Sequence, residues 1–337
     1  MTRPGIVVFG AAGHTGRFVV AELDRRGWTP VLAGRDVARL RALREAYPAS
    51  EVRVASVDDA AGLDAVLRGA RAVINCAGPF LDTAAPIIEA ALRARAHYLD
   101  VTAEQAAALA AFERFAADAM AAGVAVVPAM AFYGGLADLL ATAAMRGLDA
   151  ADDIRVAIAL DSWKPTRGTR LTGQRNTVPR VVVSDGRLQP LAGAGAAPVW
   201  RFPAPFGVQQ MASVPLSEII TISRHLRSRE IHTYLNVGAL DDLRDPSTAA
   251  PVAADASGRS AQTFAMEVVV RAGGQERRAI ARGRDIYAVT APLVVEAAER
   301  ILDGRSRRAG AAAAGELFDA SDFLSALTPQ HLDTGLP

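Results

Sequence analysis

Residues 6–16 of the chain are Ile6-Val7-Val8-Phe9-Gly10-Ala11-Ala12-Gly13-His14-Thr15-Gly16. The first four are apolar and mostly β-branched, which predicts a short buried strand. Three glycines spaced Gly-x-x-Gly-x-x-Gly complete the segment, and Arg17 to Leu23 predicts a helix. This order of strand, glycine turn and helix is typical of the dinucleotide-binding turn that opens a Rossmann domain.

Each glycine of this turn has its own predicted role. Gly10 allows the tight turn, Gly13 lets the backbone approach a pyrophosphate, and Gly16 lets the helix pack closely on the strand. The phosphates are expected on the backbone N–H groups of the helix N-terminus, where the helix dipole favours an anion. The turn residues predicted to contact the cofactor are Gly10, Ala12, Gly13, His14, Thr15 and Gly16.

The end of the second predicted strand indicates which dinucleotide binds. The strand at residues 30–33 is followed by Gly34, Arg35 and Asp36. Sites for NAD usually carry an acidic residue here for the ribose 2′-OH, whereas an arginine accommodates the 2′-phosphate of NADP. Arg35, with Arg39 one helical turn later, therefore favours NADP. The alternative is that Arg35 is a solvated charge at the start of the next helix.

Strands and helices continue to alternate as far as residue 145, which predicts a parallel, doubly wound sheet. The further strands are predicted at residues 52–55, 72–75, 97–100 and 124–127. Ligands bind beyond the carboxyl ends of such strands, so Asn75, Ala77 and Gly78 are predicted to contact the ribose on the nicotinamide side. Asp58 is predicted either to lie over the adenine or to cap the next helix.

The second half of the chain shows a different pattern, with strands joined by irregular segments. Strands are predicted at residues 154–160, 178–183, 219–222, 231–235 and 264–271. They predict a second, α+β domain built on a mostly antiparallel sheet. Helices are predicted at residues 288–302 and 321–327, joined by a low-complexity link at residues 305–315. The predicted domains are residues 1–148, 149–284 and 285–337.

Composition limits the function classes. The chain has 337 residues, 51% hydrophobic and 22% charged, with a net charge of +1. We therefore expect a globular protein whose charge gives no reason to bind nucleic acid or an anionic membrane. No apolar run reaches the ~20 residues of a membrane span, and we expect no signal peptide. The single cysteine, Cys76, favours a cytoplasmic location. No histidine has metal-ligand spacing, so no metal is predicted.

Several segments of the first half resemble a known family. They are Asn75-Cys76-Ala77-Gly78-Pro79-Phe80, residues 86–91, and His97-Tyr98-Leu99-Asp100-Val101-Thr102-Ala103-Glu104. Together with the glycine turn and Gly34-Arg35, they are similar to segments of the saccharopine dehydrogenase-like NAD(P)-binding oxidoreductases. The resemblance implies a Rossmann domain, a second domain with an open sheet, and C-terminal helices that return to the first domain from residues 285–291. It also implies that Gly78, Pro79 and Phe80 line the nicotinamide end of the cofactor site.

Two residues are candidates for catalysis. Lys164 is the only lysine among 37 basic residues, and it follows a predicted strand. A lysine can shift its pKa and act as an acid, so Lys164 is predicted to donate a proton or to bind a substrate carboxylate; the alternative is a solvated turn residue. Tyr133 lies in a glycine-containing loop beyond a strand end, where it is predicted to line the active site and to be a possible proton donor.

These observations predict an NADP-dependent oxidoreductase that transfers a hydride to or from a small imine or amine, a carbonyl or an activated alkene. The arginines of the second half, Arg167, Arg170, Arg175 and Arg180, would suit an anionic substrate. Two alternatives remain open: a non-catalytic redox sensor that binds NADP, and an accessory reductase of a biosynthetic assembly. We expect a homodimer, because open sheets of such second domains often pair across a two-fold axis.

Overall fold

The computed structural model describes residues 5–193 and 198–337, which form two β-sheets. The strands of the first sheet are β1 (Ile6–Phe9), β2 (Val31–Gly34), β3 (Val52–Val54), β4 (Ala72–Asn75), β5 (His97–Asp100), β6 (Ala125–Val127) and β15 (Gly310–Ala311). They lie in the order β15-β6-β5-β4-β1-β2-β3, and all neighbouring pairs are parallel. The predicted doubly wound sheet is confirmed.

Helices cover both faces of this sheet, which explains why its strands are uninterrupted apolar runs. Ile6 and Val8 belong to one hydrophobic core, whereas Val7 and Phe9 belong to another on the opposite face. The helices of this half are α1 (His14–Arg25), α2 (Val37–Ala46), α3 (Ala60–Val66), α4 (Phe80–Ala94), α5 (Gln105–Ala122) and α6 (Ala137–Ala144), with a π-helical turn at Phe132–Leu136 before α6.

The second sheet is mixed but mostly antiparallel, as predicted. Its strands are β7 (Ala151–Leu160), β8 (Val181–Ser184), β9 (Arg187–Pro190), β10 (Val199–Arg201), β11 (Val208–Ser213), β12 (Ser228–Asn236), β13 (Thr263–Ala272), β14 (Gln275–Arg284) and β16 (Asp333–Gly335). The main path is β10-β11-β12-β7-β13-β14-β16, and β8 and β9 extend from β12. Only β12 and β7 run parallel within that path.

The remaining helices correct two predictions. They are α7 (Arg167–Arg175), α8 (Ser217–Ser223), α9 (Val237–Arg244), α10 (Thr290–Leu302), α11 (Ala314–Leu317) and α12 (Ala320–Leu327). The strand predicted at residues 219–222 is wrong, because these residues belong to α8; a short apolar run fits a fully buried helix as well as a strand. The link predicted at residues 305–315 is wrong in part, because Gly310–Ala311 forms β15 beside β6.

A single hydrophobic core continues from the first sheet into the second. It contains Val8 and Leu99 of the first sheet, Ile158 and Val268 of the second, and much of α10. Where one domain ends and the next begins therefore stays a prediction. Helix α10 packs against α1, where Nη1 of Arg26 lies 2.6 Å from carboxylate oxygens of both Glu296 and Glu299. Within the described ranges, no helix is long and apolar enough to cross a membrane.

Candidate functional site

A cleft of about 1000 Å³ opens at the carboxyl ends of the strands of the first sheet. Its floor is built from the turns that follow β1, β2, β3, β4 and β5. Its other walls come from the π-helical turn, from α7 and the segment after it, and from the start of the segment that leads into α10. Ligands of doubly wound sheets bind at this edge, so the cleft is the candidate cofactor and substrate site.

The glycine turn after β1 has no room for side chains. Gly10 has a φ of +82°, and a Cβ at this position would lie 2.8 Å from the amide nitrogen of Ala77. The Gly13 amide donates a 2.9 Å hydrogen bond to the Gly10 carbonyl, and a Cβ on Gly16 would lie 2.2 Å from the same oxygen. No side chain caps α1 at Gly13, which leaves its first amides available to an anion. The turn fits a pyrophosphate group.

The end of β2 presents two arginines to the cleft. The exposed Arg35 side chain makes no hydrogen bond or ion pair with any described residue, so its guanidinium is available for a ligand. Arg39 instead donates from Nη2 to the carbonyl oxygen of Ala12, at 2.8 Å. The neighbouring acid, Asp36, caps α2 by accepting the Arg39 amide at 3.1 Å. These contacts suit a 2′-phosphate better than a ribose hydroxyl.

The N-cap of α3, in the segment after β3, tests one of the two predictions for Asp58. Asp59, not Asp58, is the N-cap of α3, and its carboxylate accepts the Gly62 amide at 2.9 Å. The N-cap prediction for Asp58 is therefore wrong. Asp58 lines the cleft beside Gly34 and Arg35, and Ser56 donates to its carboxylate at 3.4 Å.

The loop after β4 is shaped by Asn75, which is fully buried. Its Nδ2 donates to the Tyr98 hydroxyl at 3.2 Å and to Thr83 Oγ1 at 3.3 Å, while its Oδ1 accepts the Ala77 amide at 3.0 Å. Asn75 thus holds the loop from below and does not itself line the cleft. Ala77, Gly78 and Phe80 do line it.

Glu104 is a cleft residue to which the sequence analysis gave no role. Its carboxylate accepts the amides of Phe80 at 2.7 Å and Leu81 at 3.0 Å, which are the first two of α4. Pro79 is the N-cap of that helix and offers no capping side chain, so Glu104 satisfies these donors from another loop. Burial raises the pKa of Glu104. Glu104 ends the segment at residues 97–104, which is one of those that resemble the family, and this position was the one sequence signal that could have pointed to it.

Tyr133 is held in the cleft by the π-helical turn. The Asp100 carboxylate accepts the Ala129 amide at 2.8 Å, and the Asp100 carbonyl accepts the Met130 amide at 2.8 Å. A Cβ on Gly134 would lie 2.3 Å from the Ala129 carbonyl, so only glycine allows the turn to pack this closely. Such π-helical turns are frequent at functional sites.

Tyr133 lines the cleft, and no described residue offers its buried hydroxyl a hydrogen bond. Its ring meets Phe132 edge-on at 5.0 Å and Trp163 at 5.8 Å between centroids. Burial raises the pKa of Tyr133 well above its usual value, and Tyr287 and Glu218 raise it further. The phenol therefore stays protonated at neutral pH and can donate a hydrogen bond to a ligand.

Arg180 and Glu218 lie near Tyr133, on elements distant in sequence. Arg180 lines the cleft, where desolvation of its guanidinium lowers its pKa although the residue as a whole is exposed. Glu218, in α8, is fully buried, and burial raises its pKa to about 7 although the Leu216 amide donates to it at 2.8 Å. The sequence analysis placed Arg180 among four candidate arginines and did not single out Glu218.

Tyr287 closes the cleft above the glycine turn. Its hydroxyl accepts from Trp163 Nε1 at 3.1 Å and bonds with the Thr169 hydroxyl at 2.9 Å. Its ring meets His14 edge-on, at 5.2 Å between centroids. Burial lowers the pKa of His14, so the imidazole at the start of α1 is neutral at pH 7. Asp285 fixes the local chain by accepting the Tyr287 amide at 3.0 Å.

Lys164 lies outside the cleft, so the structure does not bring it together with Tyr133. Its side chain is exposed, and it lines a separate hollow of about 150 Å³ with Asp161 and Ser162. The turn that carries it contributes Trp163 to the cleft instead.

Most predicted cofactor residues do meet in the cleft. Those lining it are Gly10, Ala12, Gly13, His14, Thr15, Gly34, Arg35, Arg39, Asp58, Ala77, Gly78 and Phe80. Gly16, Asn75 and Pro79 are not among the lining residues. They shape the loops around it, through the packing of Gly16 on Gly10, the hydrogen bonds of Asn75, and the position of Pro79 at the start of α4.

Comparisons with known proteins point to one family. Residues 6–127 match the family model described as the saccharopine dehydrogenase NADP binding domain. A human saccharopine dehydrogenase-like oxidoreductase is 34% identical over a match that covers 29% of this chain and 27% of that protein. A probable mitochondrial saccharopine dehydrogenase-like oxidoreductase of Arabidopsis thaliana is 32% identical, covering 29% and 25%. The matched region thus spans about a quarter of these relatives.

A solved structure shares the whole fold. The apo saccharopine dehydrogenase (L-Glu forming) of Saccharomyces cerevisiae aligns with a TM-score of 0.66 over 99% of this chain and 100% of that chain, at 13% identity. At this identity the likeness shows the fold alone. Together with the sequence matches, it confirms the resemblance that the glycine turn and residues 75–80 indicated.

Proposed function

Because residues 6–127 match the family model of the saccharopine dehydrogenase NADP-binding domain, we propose that the protein is an NADP-dependent oxidoreductase. It transfers a hydride to or from a small-molecule imine or amine, a carbonyl or an activated alkene. The observation that carries the proposal is the continuity of the cleft. The same cavity is lined by the glycine turn, by Arg35, whose guanidinium has no partner among the described residues, and by Tyr133, whose buried hydroxyl also has none.

The cofactor would be held by groups that the cleft already presents. The first amides of α1 would bind the pyrophosphate, Arg35 the 2′-phosphate, and the loop at residues 77–80 the nicotinamide side. When bound there, NADPH would supply a hydride, with its two electrons, to one carbon of the bond that is reduced, and would itself be oxidised to NADP⁺. The heteroatom or second carbon of that bond then takes up one proton.

Tyr133 is the chain's best-placed proton donor. The residue lines the cleft, and its hydroxyl is protonated at neutral pH and has no hydrogen-bond partner among the described residues. Arg167, Thr169 and Arg180 of the second half line the same cavity, so there is space and chemistry for a substrate beside the cofactor. A redox sensor needs neither, which favours an enzyme over the sensor alternative.

A screen of NADPH oxidation tests the proposal, with imines, carbonyls and activated alkenes as separate panels. On an active substrate we expect Tyr133→Phe to lower kcat by about 100-fold or more with unchanged NADPH affinity, as for loss of a general acid. Tyr47→Phe, outside the cleft lining, is the matched control and should retain wild-type activity. Loss of activity in Lys164→Ala with full activity in Tyr133→Phe would reverse the assignment of the donor. NADPH binding without turnover in any panel would favour the sensor.

Two expectations from the sequence stay predictions. We propose a homodimer in the cytoplasm, on the grounds of the open second sheet and the single cysteine. Light scattering at several protein concentrations measures the oligomeric state, and fractionation of the source cells measures the location.

A further inference from the structure

Helix α7 forms one wall of the cleft without contributing to a hydrophobic core. None of its nine residues is buried, although every one from Arg167 to Gln174 lines the cleft. Gly168 and Gly173 weaken the helix further, because no packing contact requires glycine at either position and glycine lowers helix stability. Most helices in proteins are stabilised by the packing of an apolar face. Helix α7 has no such face and therefore depends on the polar contacts at its two ends.

The start of α7 is bound to the second half of the chain. The N-cap residue Thr166 accepts the Thr169 amide at 3.0 Å, and the Thr169 hydroxyl bonds with the Tyr287 hydroxyl at 2.9 Å. The next residue, Arg170, donates from Nη2 to the Thr248 carbonyl at 2.8 Å. These contacts hold the first turn of α7 against the segment before α10 and the segment after α9.

The end of α7 reaches the first half of the chain instead. Nη2 and Nε of Arg175 donate to the two carboxylate oxygens of Asp82, at 2.9 Å and 3.1 Å, and Asp82 lies in the first turn of α4. One turn earlier on α7, Oγ1 of Thr172 lies 3.1 Å from the place that a Cβ on Gly78 would take. Helix α7 therefore crosses the cleft, from the side of Tyr287 to the start of α4.

The contact between α7 and α4 is open to solvent. The side chains of Arg175 and Asp82 are 62% and 42% exposed, and neither residue lines the cleft. Exposed ion pairs are weak, because water screens the charges and two long side chains must be held in one geometry. This ion pair can therefore break and re-form without disturbing a packed core.

The chain on either side of α7 is anchored more firmly. Before the helix, the Trp163 amide donates to the Asp242 carboxylate at 2.8 Å. After the helix, the Gln105 side chain donates to the Val181 carbonyl at 2.8 Å and accepts the Val181 amide at 2.9 Å. Residues 177–180, between α7 and this second anchor, are all exposed. The end of α7 can thus leave α4 while both anchors stay in place.

We propose that α7 is a lid on the cleft, hinged at residues 166–170 and latched by the ion pair between Arg175 and Asp82. The lid opens to admit and release the dinucleotide. That the dinucleotide is NADPH rests on the proposed function, whereas the hinge and the latch do not. Because the latch joins α7 to α4 outside the cleft lining, a weaker latch speeds the entry and the exit of the ligand alike.

Hydrogen exchange tests the latch in the cofactor-free protein. Asp82→Arg and Arg175→Asp each place like charges at the latch, and the double variant restores an ion pair of reversed sign. Amide exchange in α7, followed by mass spectrometry, should be about threefold or more faster in each single variant and within about twofold of wild type in the double variant. Glu89→Arg, which removes the exposed ion pair with Arg114 on α4, is the matched control and should leave exchange in α7 unchanged.

Stopped-flow fluorescence of NADPH tests the gating. Both single variants should raise the association and the dissociation rate constants by about threefold or more, with the Kd within about twofold of wild type. A faster dissociation with an equal rise in Kd overturns the lid, because the ion pair would then stabilise the bound state alone. Exchange that stays unchanged in both single variants, or is not restored in the double variant, also overturns it. If NADPH binds to none of the proteins while the exchange results hold, the lid stands and the proposed function fails.

Discussion

The guanidinium of Arg39 donates a 2.8 Å hydrogen bond to the carbonyl oxygen of Ala12, so helix α2 supports the glycine turn from the side. Arg35, one helical turn earlier, has no such contact and faces the cleft. The two arginines that the sequence assigned together to NADP therefore have different tasks. One is free for the ligand, and the other holds the backbone that would receive the phosphates.

Arg35→Ala should separate the two nicotinamide cofactors. A charge-assisted contact to the 2′-phosphate is worth about 1.5–3 kcal/mol, so the NADPH Kd should rise by about 10- to 100-fold. The NADH Kd should stay within about twofold, because NADH has no 2′-phosphate. Fluorescence titration of both cofactors measures this. Equal affinities in the wild type, unchanged in the variant, would contradict the preference for NADP.

Arg39→Ala should weaken both cofactors alike. Its hydrogen bond supports the turn at Ala12, which both cofactors share, and loss of one such bond costs about 1–2 kcal/mol. We therefore expect each Kd to rise by about 5- to 30-fold, with little change in the ratio. The same titrations give the answer, and a selective loss of NADPH affinity would show that Arg39 reaches the 2′-phosphate itself.

The glycine turn and Arg35 were predictable because their chemistry lies within a few residues of sequence. The chain's local order of strand, glycines and helix is sufficient to place them, and the structure brings them into one cleft. Short apolar runs carry less information, as residues 219–222 show. They were predicted as a strand and form part of α8, whose burial on every side removes the periodicity that distinguishes a helix.

The missed cleft residues depend on contacts between distant parts of the chain. Glu104, the missed residue, accepts the first amides of α4 across 24 residues, and the hydrogen bonds of the Gln105 side chain to the Val181 backbone, beside the candidate Arg180, span 76. No local sequence pattern predicts either of these contacts. Lys164 was predicted to be catalytic because it is the only lysine of the sequence, but it lies outside the cleft. The rarity of a residue type carries no information about where its side chain lies.

Gly16→Ala should damage both folding and cofactor binding. The added Cβ would lie 2.2 Å from the Gly10 carbonyl and 2.9 Å from the Ala11 carbonyl, and both are backbone atoms that cannot turn aside. We expect a loss of about 1–3 kcal/mol in the free energy of unfolding, together with lost NADPH affinity. Gly238→Ala is the matched control, since that exposed helical position has open space and should gain up to about 1 kcal/mol. Urea unfolding compares the two, and a Gly16→Ala protein as stable as wild type would contradict the packing argument.

Glu104→Ala should destabilise the start of α4 by more than Glu104→Gln. The alanine leaves the Phe80 and Leu81 amides without their acceptor, which should cost on the order of 3 kcal/mol. Glutamine keeps one acceptor oxygen, so about half of that loss is expected. Glu113→Ala, at an exposed position of α5, the helix that follows Glu104, should stay within about 0.5 kcal/mol of wild type. Equal unfolding curves for the alanine and glutamine variants would argue against the capping role.

Glu218 should make stability fall as the pH rises. Its pKa is about 7 in the folded protein against an ordinary value of 4.5, because burial disfavours the charged carboxylate. Between these values the folded state keeps a proton that the unfolded chain has lost, so the free energy of unfolding decreases as pH increases and levels off above pH 7. Glu218→Gln has no carboxyl group at this position and therefore does not titrate. The variant should therefore gain roughly 2–3 kcal/mol relative to wild type between pH 5 and pH 8. Urea unfolding at both pH values measures the gain, with Glu113→Gln as the exposed control, and a difference that does not change with pH would place the Glu218 pKa near its ordinary value.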